Sequence, residues 1–168
     1  MGSEMCIRDR KDGRFRMILN LRNLNSHAEY NKFKMDTLQS ILNLVTPGSY
    51  MATIDLKHAY YSVPVAQEHC KYPLFVWRSK LYQYTCFPNG LSFAPCLLTK
   101  LMKPCYARLR CRGHIVSGCI DDTYLQQQLF NNAFNSLHAC KSLFTSLGLL
   151  IHPERSLDIP SQIATVLG

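Results

Sequence analysis

Ile115-Val116-Ser117-Gly118-Cys119-Ile120-Asp121-Asp122-Thr123-Tyr124-Leu125 sets two adjacent acids inside an otherwise uncharged run, most of it β-branched, aromatic or small. Such a run reads as two strands joined at the acid pair. Carboxylates held together at a hairpin tip repel one another unless a cation neutralises them, which points to a divalent metal. The competing explanation is a tight turn, because Asp bonds its own backbone and tolerates turn conformations. Deciding between them requires a further oxygen ligand from a distant segment.

Thr53-Ile54-Asp55 offers that ligand, an acid ending the apolar strand expected over Tyr50–Leu56. A carboxylate buried there without a partner would be costly, although a strand-end Asp also serves as a simple cap. Strands separated by a hairpin and a helix commonly pair, so the strand at 50–56 is expected beside the hairpin at 115–125, with Asp55 facing Asp121. Side chains alternate along a strand, which ranks Asp121 above Asp122. Two carboxylates and a main-chain carbonyl suffice for paired Mg²⁺ ions about 3.5–4 Å apart, an arrangement suited to phosphoryl transfer.

The 168 residues, 47% of them hydrophobic, are enough for one packed domain. Nineteen Lys and Arg against eleven Asp and Glu give a formal charge of +8, which favours a polyanionic partner, nucleic acid before membrane. The eight cysteines form no C-x-x-C pair and no zinc spacing with the six histidines, so they read as reduced, mostly buried thiols. With no secretory h-region and no apolar run long enough for a bilayer, the expectation is an intracellular protein, cytoplasmic or nuclear, without a membrane partner.

Working outward, Lys11-Asp12-Gly13-Arg14 reads as a turn between two strands, the second over Phe15–Leu21. Asp36, with Gln39 three residues on, is expected to cap a helix carrying Leu38, Ile41, Leu42 and Val45. Tyr60–Val65 is expected to be extended, and Phe75–Trp77 with Leu81–Cys86 to form a hairpin around Arg78-Ser79-Lys80. A helix starting at Ser92 or Ala94 carries Pro95 in its first turn, with Leu98, Leu101 and Met102 facing inward and Pro104 as a kink. Phe130, Phe134, Leu137, Cys140, Phe144 and Leu147 recur at helical spacing, with Gly148 just past the end. Short strands at 149–151 and 164–167 complete an α+β fold, helices packed on an antiparallel sheet.

Six ordered blocks resemble the reverse transcriptases. Residues 11–25, containing Lys11-Asp12-Gly13-Arg14-Phe15-Arg16, resemble the family's fingers segment, and residues 51–64, around Asp55-Leu56, its first catalytic block. Residues 87–95, with Pro88-Asn89-Gly90, resemble the nucleotide-contacting block, and Cys119-Ile120-Asp121-Asp122 the aspartate pair. Residues 147–156 and 165–168 follow in the family's order, while 1–10 match nothing in it. Thr99–Pro104 and Ile159–Gln162 look most like retrotransposons of the DIRS, tyrosine-recombinase type.

The resemblance implies a right-hand polymerase palm with partial fingers and the thumb absent, a fragment of a polyprotein. Fingers contributions are expected at about 11–50 and 66–90, and palm at about 51–65 and 91–168. It implies RNA-directed DNA polymerase activity, using two Mg²⁺ ions (Mn²⁺ as an alternative), an RNA or DNA template with primer, and dNTP. The remaining polyprotein, thumb and RNase H, would be a partner.

Asp55, Asp121 and Asp122 would be the catalytic acids, and with the Leu56 carbonyl the metal ligands. Arg16, beside Arg10 or Lys11, would clamp the triphosphate, since a guanidinium fork matches phosphate oxygens. Tyr60 would exclude a ribose 2′-OH, while Asn89 and Gly90 would approach the nucleotide. Arg22, Lys57, Lys100, Lys103 and Cys119 would meet template or primer. Cys119 stands where an aromatic residue is usual, Asn89 where Phe or Gln is usual, and Asn20 where many relatives carry Asp. Arg155 occupies a position often held by Lys, but arginine does not serve as a proton donor. Two alternatives stand beside the polymerase: a degenerate, non-catalytic nucleic-acid-binding remnant, and a metal-dependent nuclease or cyclase, against which the fingers block argues.

Overall fold

The computed structural model describes residues 5–9, 15–29 and 32–164. Its elements are β1 (Met5–Asp9), β2 (Phe15–Leu19), α1 (Arg22–Ser26), α2 (Leu38–Leu42), β3 (Tyr50–Asp55), 3₁₀ turns at Ala59–Ser62 and Gln67–His69, β4 (Leu74–Trp77), β5 (Lys80–Gln83), α3 (Ala94–Arg110), β6 (Ile115–Cys119), β7 (Asp122–Gln127) and α4 (Phe130–Ser146). All strand pairings are antiparallel among the described residues, and the fold is α+β as expected. The chain divides into two compact units, Met1–Lys32 with Tyr60–Pro95 and Phe33–Ala59 with Cys96–Gly168.

In the first unit β1 pairs with β2, Ile7 opposite Met17 and Arg8 opposite Arg16. β1 is the first of the two strands expected on either side of Lys11–Arg14. Its connecting turn at Lys11–Arg14 lies outside the described residues. Strands β4 and β5 form a second hairpin, turning through Arg78 and Ser79 at φ +48° and +62°. Leu19, Leu21, Phe87, Leu91 and Ala94 form the buried cluster of this unit. Residues 60–62, expected to be extended, belong instead to the 3₁₀ turn at Ala59–Ser62, with Tyr60 and Val63 packed against that cluster.

The second unit is built on the sheet β3-β7-β6. The central strand β7 is buried from Thr123 to Gln126, because it is covered on both faces. On one face the Tyr106 hydroxyl of α3 lies 2.9 Å from Thr123 Oγ1, and the Tyr106 ring meets Phe144 of α4 edge-on. The inward face of α3 runs through Leu98, Met102, Tyr106 and Leu109, whereas Leu101, expected inside, is exposed. Pro104 sits within α3 without ending it, and α4 stops where expected, with Gly148 at φ +77°. The buried stripe of α4 is Ala133, Leu137, Cys140 and Phe144 at 3–4 residue spacing. Phe130, Phe134 and Leu147 drop out of it, the two phenylalanines stacking on each other at the surface.

One expected cap and one expected strand are corrected. Thr37, not Asp36, caps α2, in a reciprocal capping box with Ser40. Asp36 is drawn off by tertiary partners: it accepts a 2.6 Å hydrogen bond from Ser117 Oγ and lies 3.8 Å from Arg110. The segment at 149–151 is reduced to one bridge, Ile151 to Leu56, while 165–168 lies outside the described residues.

Candidate active site

The register of the central sheet decides where the acids go. Asp55 is opposite Asp122, and Cys119 is opposite Asp122 from the other side, so all three leave the same face at one end of the sheet. The expectation that Asp121 opposes Asp55 is therefore off by one position. Asp121 sits instead in the two-residue connection Ile120-Asp121. Ile120 adopts φ +57°, a left-handed conformation that strains a β-branched residue and in hairpin turns usually calls for Gly. The connection is tied to the neighbouring strand, the Leu56 N–H donating to the Asp121 carbonyl at 2.9 Å.

The segment after α4 locks Asp55 from its other side. Its carbonyl accepts the His152 N–H at 2.8 Å, and its N–H donates to the buried Ser156 Oγ at 3.0 Å. Arg155, between them, places Nη1 3.6 Å from Asp55 Oδ2. Sequence reasoning missed Arg155 and Ser156 as partners of Asp55. Residues 147–156 form one of the six ordered blocks, but only the bridge between Ile151 and Leu56 reveals what they face.

Electrostatically the three acids are one group. Burial raises the Asp122 pKa from 3.8 to about 6, with the Asp121 and Asp55 charges adding to it and Arg155 opposing. The Asp121 carboxyl moves up as well, from desolvation first and then Asp55, its own backbone hydrogen bond and Arg155 countering. Asp121 is open to water over much of its surface, so its desolvation is partial. Burial, then Asp122 and Asp121, push the Cys119 thiol upward. The donor set is chemically right for a hard divalent cation, carboxylate and carbonyl oxygens only. As placed, no three His, Cys, Asp or Glu side chains among the described residues converge closely enough to hold a metal ion. The backbone assembles the acids, and their oxygens would have to turn inward to share one.

The remaining candidates fall as follows. Lys57 is exposed just beyond β3, and Lys100 and Lys103 are exposed on α3. In the first unit, Arg22 is exposed at the start of α1, its N–H donating to Asn20 Oδ1. Asn89 donates to the Tyr61 hydroxyl at 2.8 Å, and Gly90 sits at φ +95° with its carbonyl accepting from Asn25. Tyr60 is half-buried in core packing. The backbone of Arg16 lies in β2, while Arg10 and Lys11 lie outside the described residues.

A family model described as reverse transcriptase (RNA-dependent DNA polymerase) matches residues 8–168. The chain belongs to the reverse transcriptase family. The match begins at residue 8, earlier than the sequence blocks indicated. Polyprotein P3 of Commelina yellow mottle virus is 23% identical over 145 residues, which is 86% of this chain and 8% of that polyprotein. The Pro-Pol polyprotein of simian foamy virus type 1 is likewise 23% identical over 86% of the chain and 12% of its own length. The chain thus spans about a tenth of the length of the curated relatives it matches. Among solved structures, the foamy viral protease-reverse transcriptase in complex with double-stranded DNA has a TM-score of 0.89 at 21% identity, covering 100% of this chain and 29% of that one. The native prototype foamy virus protease-reverse transcriptase gives 0.80 at 21%, covering 98% and 23%. At that identity the likeness shows the fold.

Proposed function

We propose that this chain is the fingers and palm portion of an RNA-directed DNA polymerase from a retroelement polyprotein. The observation that carries it is the gathering of Asp55, Asp121 and Asp122 at one end of the β3-β7-β6 sheet, in a chain of this family. The first unit would supply the fingers and the second the palm. Asp55, Asp121, Asp122 and the Leu56 carbonyl would hold two Mg²⁺ ions, or Mn²⁺. When bound, these would activate a primer 3′-hydroxyl and stabilise the departing pyrophosphate.

Arg16, with Arg10 or Lys11, would bind the dNTP triphosphate, Tyr60 would select against a 2′-OH, and Asn89 and Gly90 would line the nucleotide. Arg22, Lys57, Lys100 and Lys103 would contact phosphates of the template and primer, consistent with the +8 charge. Cys119 offers less surface to a primer terminus than an aromatic residue. Solved relatives bind double-stranded DNA and RNA/DNA hybrid, which supports a duplex partner here. Among the described residues no helix is long and apolar enough to cross a membrane. Thr99–Pro104 and Ile159–Gln162 favour a DIRS-type element as the source.

One observation favours the non-catalytic alternative: the acid side chains do not converge as placed. Primer extension on an RNA template with Mg²⁺, using the chain fused to its native downstream sequence, separates the two. Incorporation that Asp121→Asn abolishes supports the polymerase, and equal incorporation by both proteins would refute it.

A further inference from the structure

Asp55 is largely enclosed, its side chain only 14% exposed, and a carboxylate in that setting needs a positive neighbour. The neighbour present is Arg155, its guanidinium 3.6 Å away and half open to solvent. Its backbone is held in place beside Asp55. His152 and Ser156, on either side of Arg155 in sequence, bind the carbonyl and the N–H of Asp55 itself. The next residue, Leu157, donates its N–H to the Thr53 carbonyl at 2.9 Å. The turn is pinned to β3 by three hydrogen bonds, two between main chains and one through the Ser156 hydroxyl, so the backbone at Arg155 is held beside Asp55 by the fold.

We propose that Arg155 is a resident counter-ion of the acid cluster, which a divalent cation must displace from Asp55. Arg155 is then a positioning residue that sets the metal concentration at which the site fills. This rests on the metal-binding function proposed above. An arginine cannot discharge itself by losing a proton, so it yields only by swinging away, and its exposed guanidinium has water to swing into. The same contact accounts for acids that the backbone assembles but that do not converge: Asp55 is turned toward Arg155.

The test is Mn²⁺ binding, read from the electron paramagnetic resonance of the free ion, on the full chain and its Arg155→Gln, Arg155→Lys and Asp121→Asn variants. Removing a unit charge beside a divalent ion should tighten Mn²⁺ binding by Arg155→Gln about tenfold, while Arg155→Lys, still cationic, stays near the parent. In metal-free buffer Arg155→Gln should melt below the parent, and saturating Mn²⁺ should remove the difference. Parental or weaker affinity in Arg155→Gln would overturn the counter-ion, as would equal gains by the Gln and Lys variants. If Asp121→Asn abolishes binding while Arg155→Gln leaves it unchanged, only the counter-ion falls. If neither the parent nor Arg155→Gln binds Mn²⁺, the metal site and the counter-ion fall together.

Discussion

Replacing Asp122 by Asn should make this protein more stable at neutral pH. In the fold the Asp122 carboxyl titrates near 6, against 3.8 for an unperturbed Asp, because burial, Asp121 and Asp55 all disfavour its charge. Below pH 3.8 the folded and unfolded chains are both protonated there, and the group is neutral to the balance. Between 3.8 and about 6 the folded chain keeps a proton that the unfolded chain has released, so stability falls as pH rises. Above 6 the penalty is complete.

At ~1.4 kcal/mol per pH unit the gap would amount to about 3 kcal/mol for a fully enclosed group. Asp122 is only partly buried, and solvent screening reduces the expected gain to about 1 kcal/mol, or about 2–4 °C in Tm for a chain of this size. Urea melts of the parent and Asp122→Asn in EDTA at pH 4, 6 and 8 measure it. The Asn advantage should be greatest at pH 8 and should close toward pH 4. An Asn variant less stable than the parent at pH 8, or one whose advantage persists at pH 4, would refute the reasoning.

Other consequences can be checked on the same preparations. Adding Mg²⁺ at pH 8 should narrow the gap between the parent and Asp122→Asn, as seen in parallel melts, because a bound cation relieves the repulsion that the Asn variant lacks. Gly118→Ala should cost about 3 kcal/mol in urea unfolding, since a Cβ at Gly118 would collide with the Tyr106 ring and disturb its hydrogen bond to Thr123. Ser156→Ala should cost about 1–2 kcal/mol, leaving the Asp55 N–H without its acceptor, and should lower primer extension more than a surface Ser146→Ala control. Phe144→Ala, emptying a fully buried position, should cost about 3–5 kcal/mol by the same assay.

What the sequence disclosed follows the range of the forces involved. The hairpin at 115–127 and helix α4 were legible because period 2 and period 3.6 are local patterns, and Gly148 marks its own turn. The cap of α2 was misplaced because Asp36 and Thr37 are both good acceptors, and Ser117, 81 residues away, claims Asp36. Helix α1 was missed for want of a signal: it is five residues long and has no side-chain cap. Residues 59–62 carry two tyrosines suited to a strand, yet they close into a 3₁₀ turn just after His58, which takes φ +57°. For the site, the three acids were found from their setting. Their register was not, because a one-residue slip changes which acid faces Asp55 without changing the pattern. The Arg155 contact crosses 100 positions and depends on a turn pinned by backbone bonds, which no local pattern encodes.

Ile120 gives the acid pair a further property. A glycine would be the relaxed occupant of its left-handed position, and it would enlarge the set of conformations open to the connection. A branched side chain does the reverse, since few backbone angles suit it and the sheet on either side dictates which it takes. The connection thus trades conformational energy for positional certainty. Asp121 is carried on a stiff corner, so its charge arrives at the end of the sheet with little entropy left to lose when something binds there.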